Sequence, residues 1–295
     1  MAIGSVDGNT TSEAVGTAYG YQIDLTTSFT GEDSLDVAIK AGSGAGALSE
    51  LDLNSDGDGL IVDGISYTFP LGDKSTVLVG DKVDASSLYN TACVYGGFTN
   101  TLDDCGNPNT AIEKPETGGT ALSASYDIGN GFTGAVGYAG QVTTNGLMNK
   151  ESTDYYGGQV SYSADNYGAS VTYANLDTAT AWALNGYYTF DDSSLPSLSV
   201  GYEMTDNEGV TKDDTQWFAG IQWDEVGPGS LGIAAGNKGP QRDGAANGEE
   251  MAYEAFYSYP VNDGMTITPA VFLLENNGIG ETDETGVVVK TSFSF

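Results

Sequence analysis

The 295-residue chain contains no histidine. Histidine general bases, Ser-His-Asp triads, Cys-His pairs and His-ligated metals are therefore excluded. Basic residues are scarce as well: nine Lys plus Arg stand against 41 Asp plus Glu, a formal charge of −32. A field of that sign repels phosphate polymers, so no nucleic-acid partner is expected. No apolar run approaches the ~18 residues of a spanning helix, and Met1-Ala2-Ile3-Gly4 lacks the basic start and apolar run of a signal peptide. There are only two cysteines, Cys93 and Cys105, in a stretch rich in Gly, Asn, Thr and Asp. Two thiols alone cannot complete a tetrahedral zinc site. A disulfide closing a loop in an oxidising compartment is favoured over two unpaired thiols.

What the chain has in quantity is glycine (42), tyrosine (18) and alternation. The glycines follow no triplet, which excludes collagen, and 11% aromatics argue against disorder. Helical spacing is hard to find, whereas period-two patterns recur. Tyr19, Tyr21, Ile23, Leu25 and Phe29 share one parity while Gln22, Asp24, Thr26 and Ser28 hold the other. Equivalent sets include Leu35/Val37/Ile39, Ile65/Tyr67/Phe69, Tyr167/Ala169/Val171/Tyr173, Leu198/Val200/Tyr202/Met204, and Val287/Val289/Phe293/Phe295. With weaker segments near 47–53, 75–83 and 229–237, the chain reads as about sixteen strands, each with an apolar and a polar face.

The connections alternate too. Pro70-Leu71-Gly72-Asp73, Ile128-Gly129-Asn130-Gly131, Ala164-Asp165-Asn166 and Gly227-Pro228-Gly229 are tight-turn compositions. Between them fall longer stretches, roughly 85–118, 142–153, 205–213, 238–250 and 275–284. Short turns at one end and long loops at the other describe an antiparallel barrel crossing an outer membrane. An even strand count then puts both termini in the periplasm, with residues 1–17 expected as an N-terminal periplasmic segment and 18–295 as the barrel. A soluble sandwich of this size would have two sheet edges to hide. A barrel in lipid pairs every backbone group and turns its apolar parity outward to hydrocarbon. Trp217 and Trp223 share parity six residues apart, roughly 20 Å of strand, a spacing that suits aromatic girdles at two interfaces, although tyrosine and tryptophan are also simply good strand residues.

The closing Val287, Val289, Phe293 and Phe295 resemble the C-terminal assembly signal of bacterial outer-membrane proteins. Three stretches carry a closer resemblance: 62–74 (VDGISYTFPLGDK), 253–259 (YEAFYSY) with 265–272 (MTITPAVF), and 285–295 (TGVVVKTSFSF). They are similar to the cyanobacterial OprB-like porins, also described as iron-uptake porins, over residues from about 15 to the end. That resemblance implies a sixteen-stranded, trimeric barrel in the outer membrane of a cyanobacterium, contacting membrane lipid and passing small polar solutes, carbohydrates or ions without a cofactor. The family's usual S-layer-homology domain has no counterpart in these residues; a periplasmic N-terminus is where it would attach. The strong acidity suggests a high-salt habitat.

Parity assigns Lys40, Lys82 and Lys290, with Asp24, Asp36, Glu203 and Glu254, to the polar face that lines the pore. Both signs on one wall would orient polar solutes. The long loop 85–118, pinned by Cys93 and Cys105, brings Asp103, Asp104, Glu113 and Glu116, and is expected to narrow the pore rather than cap it outside. Acidic loops at the entrance favour modest cation preference, weakened by screening over ~8 Å at physiological salt. Asp52, Asn54, Asp56, Asp58 and Asp63 match the spacing of an EF-hand-like Ca²⁺ loop, with glycine at the sixth position. The apolar residue is misplaced there and no helices flank it, so an acidic hairpin tip is the favoured alternative. Catalysis is not expected: the adjacent acids Asp191-Asp192, Asp213-Asp214 and Glu249-Glu250 lie in connections and would point apart. The rival to a porin is a secreted acidic β-rich adhesin or surface-layer protein.

Overall fold

In the computed structural model the chain forms one antiparallel sheet of eighteen strand segments curled into a barrel. The structure describes residues 1–8, 14–44, 46–51, 53–55, 57–103, 105, 119–141, 147–148, 154–209, 213–239, 241–242, 249–276 and 282–294. The first segments are β1 (Ala2–Asp7), β2 (Gly16–Ala18), β3 (Gly20–Thr27), β4 (Ser34–Gly42), β5 (Gly57–Pro70) and β6 (Ser75–Asp81). After a long loop come β7 (Gly119–Gly129), β8 (Phe132–Gln141), β9 (Asp154–Ser163), β10 (Tyr167–Asn175), β11 (Ala179–Tyr188) and β12 (Ser197–Asn207). The last are β13 (Asp214–Val226), β14 (Gly229–Asn237), β15 (Gln241–Arg242), β16 (Met251–Asn262), β17 (Met265–Leu274) and β18 (Glu284–Phe293).

Chain neighbours are sheet neighbours almost throughout. β1 joins the two ends of the chain, pairing with β18 from Ala2↔Lys290 to Asp7↔Thr285 and with β2 at Ala2↔Ala18. It is short, so this closure covers the loop-side part of the wall. β2 and β3 continue each other across Tyr19, and β15 is a two-residue addition beside β13. Counted as staves, the wall therefore has the expected sixteen.

Two errors in the sequence reading cancel in that count. Residues 1–17 are not a separate periplasmic segment, because 2–7 and 16–18 are wall strands. The pattern hid β1: its inward residues Ala2 and Val6 are apolar and each 1% exposed, while Ile3 faces out. Conversely, the described residues of 47–53 form no strand. Gly46–Leu51 is a 3₁₀ helix whose Leu48 and Leu51, three apart, turn together into the interior.

The outward parity is as expected. Along β10, Tyr167, Val171 and Tyr173 are exposed while Gly168, Ser170, Thr172 and Ala174 between them are buried. Leu184, Val200 and Val136 likewise project from the outer wall. Aromatic contacts form two belts on that face. Phe132–Tyr162, Tyr162–Tyr167 and Tyr188–Phe190 lie at the short-turn end; Tyr138–Tyr156 and Tyr173–Trp182 lie at the loop end. An apolar band between aromatic girdles is the surface a barrel presents to lipid.

The short turns have built-in fasteners. Between β3 and β4, the Asp33 carboxylate accepts from Ser28 Oγ (2.6 Å), Thr30 N (2.8 Å) and Thr30 Oγ1 (2.8 Å), and from Tyr67 OH on β5 (2.6 Å). Those donors hold its pKa well below the usual carboxylate range, Ser28 and Tyr67 most strongly. Inside the barrel the packing is uneven, and that unevenness shapes the lumen.

Candidate functional site: the lumen

The interior is organised by the loop that follows β6. Lys82 adopts a left-handed backbone (φ 54°) and its N–H donates to Gly119 O (2.9 Å), so the chain turns away from the wall. Ala85 then lies against β8, so close that a Cβ at Gly137 would collide with the Ala85 carbonyl. After a turn over 85–88, closed by Tyr89 N to Ser86 O (2.7 Å), the segment runs across the inner wall. The N–H groups of Asn90, Ala92, Val94, Gly96 and Phe98 donate in turn to Gln159 Oε1 (2.7 Å), Ser170 Oγ (3.1 Å), Ser199 Oγ (3.1 Å), Gln222 Oε1 (2.9 Å) and Glu254 Oε1 (3.0 Å). Every second residue donates, as the two-residue repeat of extended chain dictates. The acceptors are inward side chains of β9, β10, β12, β13 and β16. The loop is thus an extended segment held by a ladder of side chains rather than by a neighbouring backbone.

Its end is anchored at Glu254. That carboxylate, 3% exposed, also accepts from Tyr95 OH (2.7 Å), Thr99 N (2.8 Å) and Thr99 Oγ1 (2.5 Å). Burial, reinforced by the carboxylate beside it, pushes the Tyr95 hydroxyl far above its ordinary range, so it remains a donor. Cys93 and Cys105 form a disulfide, Cα–Cα 6.3 Å, which folds the loop back on itself. Tyr95, Phe98 and Leu102 pack with Phe218, Phe256, Phe272 and Val288 of the wall and with Leu48 and Leu51 of the 3₁₀ helix. Ring centroids stand 5.3 Å apart for Tyr95–Phe218 and 6.0 Å for Phe98–Phe256. One side of the barrel interior is therefore filled by a packed apolar plug.

Glu50 of the 3₁₀ helix ties the plug from above, its backbone carbonyl accepting from Asn100 N (2.9 Å) and its carboxylate from Thr101 Oγ1 (2.8 Å). Burial raises the Glu50 pKa, against the opposing pull of the Thr101 hydrogen bonds. Lys290 donates to Leu51 O (3.2 Å) and lies 5.6 Å from the Phe98 ring centroid.

The opposite wall is different. A cavity of about 510 Å³ is lined there by Asp24, Asp36, Lys40, Asp63, Lys82 and Asp84. Lys40 Nζ pairs with Asp63 at 2.7 Å. Asp36 accepts from Thr26 Oγ1 (2.7 Å) and Ser34 Oγ (2.7 Å), and Asp24 from Gln22 Nε2 (2.9 Å).

Of the residues parity assigned to the pore, Asp24, Asp36, Lys40 and Lys82 thus come together around open space. Glu203, Glu254 and Lys290 do point inward, but they do not line it. Glu203 is 2% exposed, Glu254 lies beneath the loop and Lys290 belongs to the plug. Alternation tells which side of a sheet a residue faces, not what has folded over it. The loop enters the lumen, with the Asp103 N–H donating to Thr99 O (3.0 Å); Asp104, Glu113 and Glu116 lie outside the described residues. For the Ca²⁺ reading, Asp52 and Asp56 also lie outside them. The remaining ligands are not brought together: Asn54 Nδ2 donates to Tyr21 O (3.0 Å), Asp58 accepts from Tyr19 OH, and Asp63 pairs with Lys40. Asp58 and Asp63 stand on the same strand, roughly 16 Å apart by strand rise. The polar residues that hold the loop, Gln159, Ser170, Ser199 and Gln222, carry no mark in the sequence beyond their parity.

Comparison with known proteins follows the same architecture. The family model described as Gram-negative porin matches residues 2–278. An uncharacterized protein of Nostoc sp. is 24% identical over 249 residues, covering 79% of this chain and 39% of that protein. The chain therefore spans about two fifths of the length of the curated relative it matches. Among solved structures, Pseudomonas putida OprB at high pH superposes with a TM-score of 0.72 at 13% identity, over 100% of this chain and 93% of the other. A mutant porin of Rh. blastica gives 0.60 at 14%, over 100% and 97%. At these identities the likeness is one of fold.

Proposed function

The chain belongs to the Gram-negative porin family, and from that premise we propose that it is a passive diffusion channel for small hydrophilic solutes and ions with a modest cation preference. One observation carries the reading. The apolar outer wall encloses a lumen half filled by its own loop, and the space left open is lined by charge. The apolar plug on one side leaves a single-sided passage along β3–β6. There four carboxylates face two ammonium groups, so cations are enriched relative to anions. The chain's overall charge of −32 works in the same direction at the entrance.

The host compartment is an outer membrane, and the Nostoc relative supports a cyanobacterial source. A homotrimer follows from the resemblance of the three stretches noted in the sequence, and carbohydrates as well as inorganic ions are candidate permeants. Reconstitution of the purified protein in planar bilayers tests the proposal. Stepwise conductance is expected, with a zero-current potential of cation-selective sign under a KCl gradient; clear chloride preference would overturn the selectivity, and a silent bilayer the channel. Swelling of proteoliposomes in sugars of increasing size measures the cutoff.

A further inference from the structure

Alternation counted back from Phe69, Tyr67 and Ile65 on β5 would turn Asp63 toward lipid, where a charge is destabilising. The wall avoids this with a β-bulge. In the β4–β5 pairing Ala38 faces Gly64 and Ile39 faces Val62, leaving Asp63 as the extra residue. A bulge re-aims the side chain it carries. Asp63 swings into the lumen to meet Lys40 Nζ at 2.7 Å, while Val62 returns to the outer face. The Val62 carbonyl, beside the bulge, accepts from Lys82 Nζ (3.1 Å). Gly64 gives the loop's first residue room, since a Cβ there would stand 2.7 Å from the Lys82 carbonyl. A bulge, a left-handed lysine and a close glycine contact thus converge on one charge pair at the edge of the open cavity.

We infer that Asp63 is a selectivity-determining residue of the pore, acting by holding Lys40 to the wall and cancelling its charge toward passing ions. The inference rests on the channel reading above and deepens it. The side chains of Lys40 and Asp63 are 26% and 31% exposed, so both reach the water of the passage. With Asp63 present, four aspartates of the cavity stand against Lys40 and Lys82. Without it, the Lys40 ammonium opposes Asp24 and Asp36 directly, and a unit charge a few ångströms from an ion's path alters its local occupancy several-fold even in water.

The experiment is a double-mutant cycle read as the K⁺/Cl⁻ permeability ratio in planar bilayers. D63N is expected to lower the ratio roughly threefold. K40Q is expected to raise it, and K40Q/D63N to return it near wild type. Should D63N fail to assemble, K40Q reads the same pair from its other member. A wild-type-like ratio in D63N, or in K40Q where D63N does not assemble, would overturn the inference while leaving the channel standing. Absence of conductance from the wild-type protein would remove the channel reading and the inference together.

Discussion

On β13, β16 and β17 the side chains turned away from lipid include Phe218, Phe256 and Phe272, whereas on β3, β4 and β5 they include Asp24, Asp36 and Ser66. Both sets sit on the inner parity of the same barrel. The bilayer fixes only the outer parity, which must be apolar all the way round. The inner parity is left to whatever it meets: folded-in loop on one side, water on the other. The phenylalanines fix the loop by burial, and the open side presents charge that solvent can reach. Rigidity and selectivity are therefore separable in this molecule, and substitutions should sort by half.

The largest effect is expected where the loop is anchored. Glu254→Ala leaves Tyr95 OH, the N–H groups of Phe98 and Thr99 and the Thr99 hydroxyl without their acceptor in a buried site. Buried groups left unpaired cost about 1–3 kcal/mol each, so a loss on the order of 4 kcal/mol is expected in urea unfolding of the vesicle-inserted protein. Open-channel conductance should rise and become noisier as the loop leaves the wall. An unchanged unfolding midpoint would show that the plug does not depend on this carboxylate.

A smaller loss follows from removing the disulfide. Cys93→Ala with Cys105→Ala opens a loop whose ends lie twelve positions apart. Chain entropy gives at most about 3 kcal/mol for a loop of that size, less because the aromatic packing persists. The measurement is the same unfolding midpoint with and without reductant; reductant should shift the wild type and leave the double variant unmoved.

The plug should also respond to pH through Glu50, whose pKa is raised by burial. A carboxyl with a raised folded pKa binds its proton more tightly in the folded state. Stability is then greatest below the ordinary glutamate value, about 4.3, and declines as pH climbs from there through the folded pKa. Glu50→Gln should flatten this slope while keeping an acceptor for Thr101. An undiminished slope in the variant would assign the pH response elsewhere.

How much of this was legible in the sequence follows from the same asymmetry. The outer wall could be read because lipid imposes one rule on every strand, and the tight turns because proline and glycine mark them. Val6 and Leu51 defeated the reading because they are apolar yet inward, a choice made by the plug and invisible to a rule about water. Glu203 and Glu254 failed in the opposite sense, being polar and inward but covered. Asp63 was read as a Ca²⁺-loop ligand or part of an acidic hairpin tip rather than as a lumenal residue: its inward turn depends on a bulge, whose mark is the change of apolar parity between Leu60/Val62 and Ile65/Tyr67/Phe69. The loop's entry was anticipated from its length and its cysteines, while the serines and glutamines that receive it look like any lumenal residue.

The smallest expected change in stability is also the sharpest test of the two-half comparison, because it makes the same chemical substitution on both sides. Carboxylate to amide at Asp36 keeps one oxygen to accept from Thr26 or Ser34 and turns an NH2 toward the other hydroxyl, which can rotate to accept, and the residue borders the open cavity. Its cost in stability should lie within about 0.5 kcal/mol, as for other substitutions outside packed regions. The K⁺/Cl⁻ permeability ratio should nevertheless fall, because the lost charge faces the ion path. Glu254→Gln should do the reverse. One carboxylate oxygen is replaced by an NH2 donor that faces the buried donors of Thr99 or Phe98, so the unfolding midpoint drops, while the permeability ratio of molecules still folded barely moves because that charge is covered by the loop above it. If both variants shifted the same observable, the plug would be part of the conducting surface and the division of the interior into a structural and a selective half would fail.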